Sequence, residues 1–112
     1  QALTLAGSLR ETSRADRNAI AELAQINVLA GRIASALDDS STAHTHWQAA
    51  LDLTLPELPA SRDWRFLDPA AQAYSLLGDS AAARPIIDRL NQLNFHSLDP
   101  LAASLYDHAK LP

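Results

Sequence analysis

The residues best suited to chemistry near neutral pH are four histidines, His44, His46, His96 and His108. His44 and His46 stand two positions apart, which on a helix puts them about 200° apart around the axis, so one ion could not be held by both. Helical chelation needs a separation of three or four residues, and Gln48 is a poor zinc ligand. These two are expected on solvated helix faces. His96 and His108, with Asp99 and Asp107 nearby, are twelve positions apart and have no evident third ligand. Asp38-Asp39 is a pair of carboxylates, but only burial would turn one of them into an acid, and the pair is expected to end a helix. No Gly-x-Ser-x-Gly turn is present to raise a serine nucleophile, so Ser13, Ser61 and Ser80 read as caps and turns. Cysteine is absent, and with it disulfides and thiolate chemistry. The expectation is a protein that is not an enzyme and uses no cofactor or metal.

The elements that position these residues are expected to be helices. Ala and Leu dominate the apolar half of the composition, Val appears only at Val28, and three glycines are too few for an all-β chain. Apolar spacing and punctuation predict a short helix over Ala2 to Leu9, a polar break over Arg10 to Arg14, and a long helix over Ala15 to Leu37. In the long helix Ile20, Leu23, Ile26, Ala30, Ile33 and Leu37 recur every three or four residues, with Ser13 as cap and Asp16 three residues on. The next helix, Thr42 to Leu55, should bury Ala43, Trp47, Ala50, Leu51 and Thr54. Pro56 and Pro59 end it and open a loop that runs to Asp63.

A further helix is predicted over Trp64 to Leu77, with Leu67, Ala70, Ala71, Tyr74 and Leu77 on one face and Pro69 near its first turn. Gly78-Asp79 turns the chain into a helix over Ser80 to Leu93 that buries Ala83, Ile86, Ile87, Leu90 and Leu93. Pro85 should kink that helix or move its start to about Ala82. Asp99-Pro100 then opens a terminal helix, about Pro100 to Ala109.

Charge and length narrow the function classes. The formal net charge is −4, with no run of Lys or Arg, which argues against a nucleic-acid partner. Polar residues interrupt every apolar stretch, which argues against membrane insertion. The 112 residues form one domain. Methionine is absent even at position 1, so the chain is expected to be a piece of a longer protein.

Superposing the turns Asp38-Asp39 and Gly78-Asp79 gives an offset of 40 residues and a shared pattern. Ala30 and Gly31 match Ala70 and Ala71; Ala34 matches Tyr74; Ala43, Trp47 and Ala50 match Ala83, Ile87 and Leu90. Small and large packing residues in this order, and the phrases His46-Trp47-Gln48-Ala49-Ala50-Leu51 and Leu76-Leu77-Gly78-Asp79-Ser80-Ala81-Ala82-Ala83-Arg84, resemble the tetratricopeptide repeat. One hairpin covers Arg17 to Leu55, the other Trp64 to Asn94. The family spacing is about 34 residues, so the surplus must lie in the loop after Pro56. Asn27 and Leu67 stand where the family has a large aromatic, and the first turn lacks its glycine. The layout also resembles the helical-repeat tails of some bacterial signalling proteins, serine/threonine kinases and winged-helix regulators among them. That likeness rests on the Trp47–Leu51 phrase and on Ala83-Arg84-Pro85-Ile86-Ile87.

The resemblance implies an all-α scaffold: stacked antiparallel hairpins, an α-solenoid fragment, with the C-terminal helix as a cap. It implies a protein or peptide partner, held by the first helix of each hairpin. Carried over residue by residue, the groove positions are Gln25, Val28, Leu29, Arg32 and Ser35, then Arg65, Asp68, Gln72 and Ser75. Gln25, Arg32, Arg65 and Gln72 are the polar contacts expected to matter, and Arg32 and Arg65 are the cations that would meet an acidic group. The family's asparagine-and-lysine carboxylate clamp is not reproduced. Trp47 is expected in the core. Trp64 has two readings, packing beneath the loop or an exposed anchor for a partner. The alternative function is a spacer that forms a homo-oligomer through an uncapped apolar edge.

Overall fold

In the computed structural model, residues 2–59, 63–93 and 95 are described, with side chains from residue 15 onward. The described residues form four helices and no strand: α1 (Ala2–Ala36), α2 (Ser40–Thr54), α3 (Trp64–Leu76) and α4 (Ser80–Gln92). α1 packs on α2 and α3 on α4, while α3 also lies against both α1 and α2. The terminal helix expected over Pro100 to Ala109, and His96 and His108, lie outside the described residues.

The expected break at Arg10 to Arg14 is not a break. α1 runs through it for 35 residues, because the stretch holds no Gly or Pro and both Arg and Glu favour helix. Ser13 therefore lies inside the helix and not at its start. The buried face of α1 also differs from the row of larger apolar residues. Ala21, Ala24, Val28 and Ala34 are in the core, whereas Leu23, Ile26, Ile33 and Leu37 stand in water, with Leu29 beside them. The cause is close approach. Gly31 is buried against the Trp47 ring, and the ring's Nε1 donates a 3.3 Å hydrogen bond to the Val28 carbonyl. Only a face of small side chains lets α2 come this near.

α2 buries Ala43, Trp47, Ala50, Leu51 and Thr54, the row its spacing predicts. Burial of Thr54 is satisfied by its hydroxyl, which bonds the carbonyls of Ala50 and Leu51. α3 is enclosed on nearly every side: each residue from Phe66 to Ala73 is buried, since three helices surround it. Tyr74 and Leu77 are only half-buried. In α4, Ala83, Ile86, Ile87 and Leu90 are buried, but Leu93 is 39% exposed at the C-cap. Pro85 does not move the start of α4, which is Ser80. Pro69 and Pro85 each stand six residues after an Asp cap, where the missing N–H leaves one carbonyl of the first turn unpaired within the helix and the chain continues.

The two hairpin turns are built alike. Asp38 and Gly78 both have positive φ, 62° and 85°. Asp39 N–H bonds the Ala34 carbonyl and Asp79 N–H the Tyr74 carbonyl, while Asp38 and Gly78 bond Ser35 and Ser75. This is the Schellman closure of a helix end. Each following Asp then caps the next helix, accepting from the N–H of Thr42 or Ala82. A left-handed conformation penalises a Cβ, and a Cβ at Gly78 would meet nothing within 4 Å. Gly78→Ala is therefore expected to lose roughly 1 kcal/mol from strain alone, and Asp38→Gly to gain up to about as much. Urea denaturation of the two variants should show midpoints displaced in opposite directions.

Candidate functional site

The face between α1 and α3 carries three of the four polar residues expected to meet a partner. Gln25 Nε2 donates to Asp68 Oδ2 at 3.1 Å, and Gln72 Nε2 donates to Asp68 Oδ1 at 3.1 Å. One buried carboxylate thus holds two amides, one from each helix. Gln72 is 3% exposed and Asp68 6%, so this network works mainly as an interhelical tie. Gln72 Oε1 and Ser75 Oγ are buried without a hydrogen-bond partner. Val28, another groove position, is in the core.

Arg65 is exposed at the start of α3. Its Nε and Nη2 donate to the Asp63 carboxylate at 3.0 and 2.7 Å, and its Nη1 bonds Asn18 Oδ1 across to α1. The Arg65 bond holds the Asp63 carboxyl below the usual carboxylate range, and the same bond raises Arg65. Asp63 is also the cap of α3, accepting from the Arg65 N–H. Arg32 is half-buried on α1. It lies fourteen residues beyond Asn18, about 21 Å along the helix axis, so Arg32 and Arg65 do not converge on one carboxylate.

Arg65 and Trp64 instead border a half-open cleft of about 330 Å³, whose α1 side is Asn18, Ala21, Glu22 and Gln25. The α1 residues share a face because they are spaced three, four and seven apart. Trp64 is 50% exposed, and its ring stacks on Phe95 with centroids 5.4 Å apart and planes 20° apart. Half of the Trp64 surface thus remains in water. Asn18 and Glu22 were not singled out by the sequence; their signal is the helical spacing to Gln25.

The histidines of α2 serve neighbours on different sides. His44 tilts against Trp47 with centroids 5.7 Å apart, and His46 Nδ1 lies 3.0 Å from Asn27 Oδ1 on α1. His44 also edges a more open hollow with Gln48, Asp52 and Leu77. Asp38 and Asp39 are exposed. The Thr42 hydroxyl and N–H bonds lower the Asp39 carboxyl, consistent with capping. Among the described residues no three His, Asp or Glu side chains gather as a metal-binding set, and no helix is long and apolar enough to cross a membrane. Comparison with protein-family models, with curated proteins and with solved structures finds no match to this chain.

Proposed function

We propose that the chain is a non-catalytic protein–protein interaction module, a recruiting segment of a larger protein, which takes a peptide segment of its partner in the cleft between α1 and α3. In this reading the four helices are two tetratricopeptide-like hairpins, and α1 and α3 are the first helices of each, the pair that lines the groove in that family. One observation carries the reading: a half-exposed tryptophan walls a cleft whose rim offers Glu22, Gln25, Asn18 and Arg65. A rigid aromatic wall with a few polar groups is what a peptide anchor residue needs. Peptides selected from a random display library on the immobilised chain are expected to weaken about thirtyfold on Trp64→Ala, the size of an interface hot spot. They should also respond to Glu22→Lys while circular dichroism stays unchanged. Selected peptides indifferent to both substitutions would refute the cleft as the binding site. A second reading, self-association, is favoured by a different feature, the exposed apolar row of α1.

A further inference from the structure

Leu23, Ile26, Leu29, Ile33 and Leu37 are between 47% and 75% exposed. Four of these large aliphatic side chains on α1, with Leu37 just past its end, leave on the order of 500 Å² of apolar surface in water, near the upper limit for the largest patch on a monomer. Ala19, Leu23, Ile26, Ala30, Ile33 and Leu37 follow one another at intervals of four, three, four, three and four. That is the spacing of a two-helix seam. Glu22 and Arg32 are the two charged residues between Ala19 and Leu37, and neither falls on the row. The row also points away from the rest of the molecule: its mean direction on α1 lies about 140° from that of the buried Ala21, Ala24, Val28, Gly31 and Ala34 and about 110° from the cleft residues.

The geometry points to a second copy of this chain as the occupant, with the two α1 helices antiparallel and crossing at Val28. About that point each residue of the row pairs with the one for which the two numbers sum to 56, while on the Leu29 flank, off the centre line, the paired numbers sum to 58. Leu23 meets the partner's Ile33, Ile26 the partner's Ala30, and Ala19 the partner's Leu37. Every bulky residue of the last two layers is thereby set against an alanine, and the overlap uses the whole exposed row. A parallel pair in register would stack Ala19 on Ala19 and Ala30 on Ala30, leaving voids between layers of paired Leu and Ile, which close-packed interiors do not tolerate. Leu29, on the flank, crosses its own copy next to the twofold axis. Burying the row and its flanks from both copies approaches the ~800 Å² per partner of a stable interface. This gives the self-association reading a face and a register, and it stands apart from the cleft reading because the row and the cleft centre on different faces of α1, Glu22 being the cleft residue beside the seam.

Sedimentation at tens of micromolar should give a dimer, little affected by salt because the seam holds no charge. Ile26→Asp with Ile33→Asp should raise the dissociation constant at least a hundredfold. Both side chains are exposed, so helical content and peptide binding at the cleft should persist. The chain has no cysteine, so introduced thiols report the register. With a short bis-maleimide, Leu29→Cys should cross-link to itself. Leu37→Cys should not, yet it should cross-link when mixed with Ala19→Cys. Self-cross-linking of Leu37→Cys in preference to Leu29→Cys would overturn the antiparallel register. A wild-type monomer at every concentration would overturn the dimer and assign the row to a different occupant. Loss of peptide binding in the aspartate variant would tell against the separation of the two surfaces.

Discussion

Gly31→Ala is expected to destabilise the fold by about 2–4 kcal/mol, although alanine is by itself the better helix former by roughly 1 kcal/mol. A Cβ built at Gly31 lies 2.9 Å from Trp47 Cε2 and closer still to its Nε1 and Cδ1. The indole is 4% exposed and has no room to retreat without opening the α1–α2 contact. Moving it also breaks the bond from Nε1 to the Val28 carbonyl, worth about 1 kcal/mol. Thermal denaturation should show the loss as a midpoint lower by several degrees. The cause is separable by a double-mutant cycle. In a Trp47→Leu background the collision is gone, so Gly31→Ala should become neutral or slightly stabilising. A loss of the same size in both backgrounds would mean that the glycine matters for some reason other than the ring.

Phe66→Ala should cost about 3–5 kcal/mol, the range for a buried phenylalanine cut back to a methyl group. Phe66 is 1% exposed and stands first among the largest fully buried side chains. Against a typical total of 5–15 kcal/mol for a domain, the change would bring the molecule near the edge of folding at room temperature. Phe66→Leu, which refills most of the volume, should cost only about 1 kcal/mol. The Arg17 guanidinium sits 5.8 Å from the Phe66 ring centroid. Chemical denaturation of both variants checks the prediction; equal losses for Leu and Ala would show that ring shape, rather than buried volume, is what the site requires.

These two residues mark where the sequence was legible and where it was not. α2 has one buried face, and its spacing identified Ala43, Trp47, Ala50, Leu51 and Thr54 without error. The Asp-ended turns were equally plain, because the chain offers few ways to stop a helix at Asp38 and Gly78. α1 misled because it has two apolar faces. Periodicity favours the larger residues, whereas packing against a tryptophan selects the smaller ones, and Gly31 says nothing about its neighbour until the neighbour is in place. Phe66 escaped a one-face reading of α3 because the helix is surrounded. Its near-continuous apolar run, broken only by Asp68 and Gln72, was the available sign of full burial.

At the site, Gln25 and Gln72 do come together, but through Asp68 and mostly out of reach of solvent. Which groove residues spend their hydrogen bonds on each other depends on how two helices sit, and intervals along the chain do not carry that. The separation of Arg32 from Arg65 has the same origin. For Trp64 the sequence leaves two readings open, packing beneath the loop and an exposed anchor, because nothing in the spacing around a helix's first residue says what lies over it; the ring is half-exposed and stacks on Phe95.

The uninterrupted course of α1 has a consequence for anything joined along it. A 35-residue helix is a stiff rod about 52 Å long, matching the 54 Å longest dimension of the molecule. Inserting one residue in such a rod swings whatever lies beyond by about 100° and advances it 1.5 Å, while seven residues restore the azimuth to within about 20°. Fusions spliced into its first turns would therefore be aimed by residue count, the helix acting as ruler and protractor at once.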